Sequence, residues 1–181
     1  MSLSAPPFVI QDGALFSLGI VAARFNSALV DALLHTVFEK LTAAGVKEKR
    51  ITLIRVPGSH EVPWAAQALA RRRGCHCVIG LGVLIAGDTN HHEMVGQSVS
   101  SALQQVALTT GTPVINGVMV VDNLKQAEER CVGAINRGAE FARAALEMAA
   151  LKRSLPTSPR FTHLGRRRRR PGLLRPGGGK S

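Results

Sequence analysis

The chain reads as an α/β protein in three layers, αβα, with a four-stranded parallel sheet and helices on both faces. Three observations carry that reading. Short apolar runs alternate four times with stretches of helical period, the pattern of successive βα units. The links between them are short, so each strand returns to the same sheet through a helical crossover. The stretch Ile79–Val95, IGLGVLIAGDTNHHEMV, passes from an apolar run through a Gly-Asp-Thr-Asn turn to a helix that opens on paired histidines. A parallel sheet gathers such turns at the carboxyl ends of its strands, where the free N–H groups of the next helix favour anions.

In chain order, Met1–Gly13 holds Pro6-Pro7 followed by Phe8-Val9-Ile10. A diproline excludes a helix interior or central strand, yet the three apolar residues call for cover. An arm that pairs with a neighbouring subunit's sheet edge and a frayed terminus are both open readings. Phe16–Ala23 is the first strand, closed by Arg24-Phe25-Asn26, with Asn26 as a helix N-cap. Leu29, Val30, Leu33, Leu34, Val37, Phe38 and Leu41 then form an apolar stripe, with Asp31, His35 and Glu39 opposite. His35 is therefore a solvated surface residue, and Gly45 stops the helix.

Arg50–Val56 is the second strand, and Pro57–Pro63 turns into a helix with Pro63 in its first turn. Arg71-Arg72-Arg73 ends that helix, where cations suit the dipole; a nucleic-acid role for the triplet is the weaker reading. Cys77–Leu84 is the third strand. The helix after the focal loop runs to about Thr110, its inner stripe Val95, Val99, Ala102, Leu103 and Val106. Pro113–Val121 is the fourth strand, and Asp122-Asn123 caps a short helix through Arg130. Cys131–Asn136 connects to a last Ala-rich helix over Gly138–Leu151.

With 181 residues, 45% of them apolar, the chain suits one domain with a sizeable core. The net charge of +11 is uneven: ahead of Lys152, thirteen basic residues face all twelve acidic ones, leaving +1. The other ten basic residues fall in Lys152–Ser181 with no acid among them, so 14–151 reads as the folded domain, 1–13 as an arm and 152–181 as a disordered basic tail. Arg166–Arg170 suits RNA, DNA or another anionic surface. A run without purpose is at least as good a reading. Cys75, Cys77 and Cys131 lack zinc-like spacing, and alternation along a strand sends Cys75 and Cys77 away from the face of His76, so buried thiols outrank a metal or disulfide. No apolar run reaches the ~18 residues of a membrane span. The N-terminus has neither a signal nor a transit pattern, and a cytoplasmic location is expected.

Four segments should converge at the strand ends: Arg24-Phe25-Asn26, Gly58–Glu61, Gly87–His92 and Asn116–Val121. Phe25 is either core or, as its place at the rim favours, a face for a planar heterocycle. Glu61 either caps its helix or accepts hydrogen bonds from ligand hydroxyls. His91 beside Thr89 and free helix N–H groups suits a proton shuttle, since histidine titrates near neutrality. Arg130 is a surface charge or a phosphate partner. There is no Walker loop, no GxGxxG after the first strand, no nucleophile elbow and no metal cluster. The residues alone point to an enzyme or binder for a planar, hydroxylated ligand plus an anion.

Arg24-Phe25-Asn26, Val56–Pro63, Gly87–His91, Pro113–Val118 and Gln126–Arg130 together resemble the 6,7-dimethyl-8-ribityllumazine synthase family, in order and register from Phe16 to Leu151. The resemblance implies a flavodoxin-like fold. It also implies condensation of 5-amino-6-(D-ribitylamino)uracil with 3,4-dihydroxy-2-butanone 4-phosphate, releasing phosphate and water, without metal or organic cofactor. By position, Phe25 would stack on the pyrimidine. Ser59, His60, Glu61, Leu84, Ile85 and Asn116 would contact that substrate. Gly87, Asp88 and Thr89 would bind phosphate, with Arg130 reaching in from the adjacent subunit. His91 would move protons; His92 and Arg137 are further candidates. The family forms pentamers, some closing into shells. Departures are Ala86 for a usual arginine, Asn116 for a frequent phenylalanine and His92 for a tyrosine or phenylalanine. Ala86 and Asn116 support the alternative of a non-catalytic flavin- or lumazine-binding or shell-forming relative.

Overall fold

A computed structural model describes residues 11–135 and 137–155. The Phe8-Val9-Ile10 arm and the Arg166–Arg170 run lie outside the described residues. Four strands, β1 (Leu18–Ala23), β2 (Ile51–Val56), β3 (Cys77–Ile85) and β4 (Val114–Val121), form one parallel sheet in the order β2-β1-β3-β4. The expected fold class holds, with each strand beginning or ending within two residues of its expected limit.

Five helices cover the sheet: α1 (Ser27–Ala43), α2 (Val62–Ala70), α3 (His91–Thr110), α4 (Leu124–Cys131) and α5 (Arg137–Ser154). The period-2 alternation of β1 divides them. Leu18, Ile20 and Ala22 join the core beneath α1, α4 and α5, whereas Val21 and Ala23 join the core beneath α2 and α3. The stripe on α1 is buried at Leu29, Val30, Leu33, Val37 and Leu41, while Leu34 and Phe38 sit at its margin. Cys77 belongs to the first core and Cys75 borders the second. Contrary to the expected alternation the two thiols do not share a face, because β3 begins only at Cys77 and Cys75 lies ahead of its pleat.

Two further details depart from the sequence reading. Asn26 occupies the N-cap position of α1 with φ 53° and ψ 45°, yet its side chain caps nothing. Its Nδ2 donates instead to Val83 O at 2.8 Å, tying the end of β1 to the end of β3. Asparagine tolerates this left-handed backbone better than most residues. The last helix runs three residues beyond Leu151 because Lys152 has polar groups to satisfy. Its Nζ donates to Cys75 O at 2.8 Å and to Thr112 Oγ1 at 2.6 Å, and Thr112 Oγ1 donates to Ala70 O at 2.9 Å.

Candidate active site

Parallel strands deliver their following loops to one end of the sheet, and a cavity of about 370 Å³ opens there. After β1 the chain turns through Arg24 and Phe25, whose N–H groups donate to Val56 O and Pro57 O. That pairing holds the Phe25 ring 74% exposed at the cavity rim, which excludes the core reading.

After β2, a single 3-10 turn over Ser59–Glu61 leads into α2. Ser59 is buried, and its Oγ has no hydrogen-bond partner among the described residues. It lies where a Cβ on Gly82 would stand, so the floor of the cavity is shaped by the glycine facing it. His60 lines the cavity beside it. Glu61 does not line it; its Oε2 accepts from Gly58 N–H at 2.8 Å, the capping role.

At the end of β3, Leu84 and Ile85 form a half-buried wall, and after it Gly87 and Thr89 carry the chain to α3. His91 is the first residue of that helix, and no side chain caps it, so its leading N–H groups have no intrahelical partner. Asp88 is exposed between the two lining residues without lining the cavity itself. His91 and His92 both face the cavity, His91 exposed and His92 half-buried on the stripe that continues through Gly96, Val99 and Leu103. His92 Nδ1 has no partner among the described residues.

Three expected residues stand elsewhere on this protomer. Asn116 is exposed on the edge strand β4, its Oδ1 accepting from Val118 N–H at 3.0 Å. Arg130 lies on α4 and donates to Gln126 O at 3.1 Å. Arg137 opens α5 in an ion pair with Glu140. Conversely, Val83 and Val95 line the cavity without having been singled out for it, and Asn26, expected nearby only as part of its segment, lines it too. The cap reading of Asn26 gives its side chain no part in the site, although its place immediately after Phe25 is a usable signal. The thiols take no part in the cavity, and burial raises all three; Cys131 is pushed up to about 11.

The arrangement defines a class: a flavodoxin-like α/β protein whose strand-end cavity pairs an aromatic rim with an anion-favouring loop and an imidazole on the following helix. A family model described as 6,7-dimethyl-8-ribityllumazine synthase matches residues 16–153. Proteins of that name from Polaromonas sp. strain JS666 and Aquifex aeolicus are 43% and 45% identical over 140 and 138 residues, covering 77% and 76% of this chain and 89% and 90% of those proteins. The one from Halorhodospira halophila is 41% identical over 156 residues, 86% of this chain and 99% of its own. The chain belongs to the 6,7-dimethyl-8-ribityllumazine synthase family.

Proposed function

We propose that the chain condenses 5-amino-6-(D-ribitylamino)uracil with 3,4-dihydroxy-2-butanone 4-phosphate to give 6,7-dimethyl-8-ribityllumazine, phosphate and water. The observation that carries this reading is the meeting of Phe25, the Gly87–Thr89 loop and His91 around one cavity, in a chain that matches the family over residues 16–153. Phe25 offers its face to the pyrimidine, and Ser59, His60, Leu84 and Ile85 bound the space for its edge and ribityl chain. Gly87, Asp88 and Thr89, with the first N–H groups of α3, receive the phosphate.

The amine of the uracil is already a nucleophile, so the protein has two tasks. One is to hold both reactants in reacting order, worth about 7–11 kcal/mol in favourable cases. The other is to move protons as the imine forms, phosphate leaves and the ring closes, worth about 10²–10⁴-fold. His91 takes the second task from the first turn of α3, next to the phosphate loop. Glu61 keeps one oxygen free of the Gly58 contact, available to a ribityl hydroxyl.

The same reading makes the protein a homo-oligomer, a pentamer or an assembly of pentamers. What supports this is that Asn116 and Arg130 do not line their own protomer's cavity, while the resemblance to the family has the residues at these two positions reach in from a neighbour. Among the described residues no helix is long and apolar enough to cross a membrane, and a cytoplasmic location follows from this reading of the chemistry. Mixing the two substrates with the purified chain should give the fluorescent lumazine and one phosphate per product. Absence of product from a folded, oligomeric sample would overturn the assignment in favour of the non-catalytic alternative.

A further inference from the structure

The near-neutral charge of the fold conceals a separation. The amino-terminal pole of the sheet, opposite the cavity, is built from residues 11–17, 40–50, 67–76, 107–113 and 151–155, which carry nine Lys or Arg against two carboxylates, Asp12 and Glu48. The rest of the described residues carry six Lys or Arg against ten carboxylates. Four helices, α1, α2, α3 and α5, end at this pole, and their carbonyl ends supply about half a negative charge each, about two in all. Complementing those helix ends accounts for two or so of the cations and leaves a large positive excess.

The excess converges on a depression. Lys49, Arg50, Arg72 and Arg73 line a cavity of about 230 Å³ between the starts of β1 and β2 and the end of α2, with no acidic residue in its wall. Two of the guanidinium groups are held in place by neutral partners: Arg50 Nη1 donates to Leu15 O at 2.9 Å and Arg72 Nη1 to Thr52 Oγ1 at 3.3 Å. Among the described residues none of the four has a carboxylate within ion-pairing distance, the recorded pairs being His35–Glu39, Arg55–Asp31 and Arg137–Glu140. Lys152 and Arg153, at the end of α5, add two cations to the same pole, Lys152 on Cys75 O at 2.8 Å and Arg153 over the Phe16 ring. Burial, reinforced by the charges of Arg153, Lys152 and Arg50, lowers the pKa of His76. The sequence beyond Leu155 holds eight more Lys or Arg and no acid.

We propose that this pole is a binding surface for the phosphate backbone of a nucleic acid, with the Lys49–Arg50–Arg72–Arg73 depression as its fixed anchor. Guanidinium forks suit phosphate oxygens in pairs. The breadth of the charge, nine cations spread over the three segments 40–50, 67–76 and 151–155, fits a chain of phosphates better than a single one. No aromatic side chain is exposed among the described residues of the pole, so binding is through phosphates and insensitive to base sequence.

The test is fluorescence anisotropy with a labelled single-stranded RNA of about 20 nucleotides, using the full chain and a Lys49→Ala, Arg72→Ala, Arg73→Ala triple variant of it. These three side chains are exposed, so the variant should fold, which its circular dichroism and oligomer size would verify. At about 0.1 M salt the variant should bind at least tenfold more weakly. The slope of log affinity on log salt should fall by about 2, since each single-strand phosphate contact contributes about 0.7. Equal affinity and slope in the two proteins would place all binding in the C-terminal extension and overturn the proposal. Retention on phosphatidylserine vesicles with no RNA binding would assign the pole to a membrane surface and overturn it too. No reaction substrate enters the assay, so its outcome is separate from that of the turnover experiment.

Discussion

His91 and Phe25 divide the work of the proposed site, and each can be tested without disturbing the fold. Both side chains are exposed, so neither replacement opens a cavity in the core. Converting His91 to Ala should lower turnover about 10²-fold or more while leaving both KM values within a few-fold, because proton transfer is lost and binding is not. A rise in KM with turnover intact would move the proton role to His92. Converting Phe25 to Ala should raise KM for the pyrimidine several-fold, since stacking is worth about 0.5–1.5 kcal/mol beyond burial; Phe25→Tyr should recover it. His76 governs pH dependence at the other pole. Its pKa is lowered in the folded state, chiefly by burial, with Nδ1 accepting from Ser17 N–H at 3.0 Å. The unfolded chain therefore binds the proton more readily, and stability falls as pH drops through the unfolded value near 6.5. His76→Asn keeps an acceptor for Ser17 without titrating. The loss of melting temperature between pH 7 and pH 5 should be smaller in that variant; an equal loss would show that His76 does not contribute.

At the scale of elements, periodicity made the strands and helices legible, and side-chain choices within turns were not. The stripe of α1 followed from its spacing alone, and the N-cap of α4 from Asn123, whose Oδ1 accepts from Gln126 N–H at 3.0 Å. Asn26 has the same chemistry but a different partner, because a carbonyl at the end of β3 lies within reach. That proximity is tertiary, and no local pattern encodes it. The extension of α5 through Lys152 was hidden for the same reason, its partners lying 77 and 40 residues away. Gly82 joins element packing to the cavity. A methyl group there would meet Ser59 Oγ and approach Ser59 Cβ to 3.2 Å. Gly82→Ala should thus cost about 1–3 kcal/mol by overpacking and push the 3-10 turn into the cavity, raising KM for the pyrimidine. Gly111→Ala meets no atom within 4 Å but has φ 65°, so it should cost stability through backbone strain and leave KM unchanged. Denaturant unfolding and steady-state kinetics on the pair separate packing at the site from general destabilisation.

At the scale of the molecule, a protomer carries most of a site and some of its proposed parts point elsewhere. His91, Thr89 and Phe25 converge because all follow strands of one parallel sheet, a convergence legible from the order of elements. Arg130 follows a strand too, but β4 is the edge of the sheet and α4 leads the chain away from the cavity. Arg130 does not line this cavity; on the proposed reading a second copy brings it to a phosphate bound at Gly87–Thr89, and closed symmetry would then build every site from two chains. This has a consequence that no single-chain site shares. His91→Ala removes the imidazole from a protomer's own cavity, whereas Arg130→Ala removes the guanidinium from a neighbour's. Each variant alone should assemble and turn over slowly. Unfolded together in equal amounts and refolded, they should form rings in which about a quarter of the sites join an intact His91 to an intact Arg130. Activity should then rise to about a quarter of the unmutated level, read by lumazine fluorescence. If both residues served the same protomer's cavity, every site would keep one defect and the mixture would be no more active than the mean of its parts.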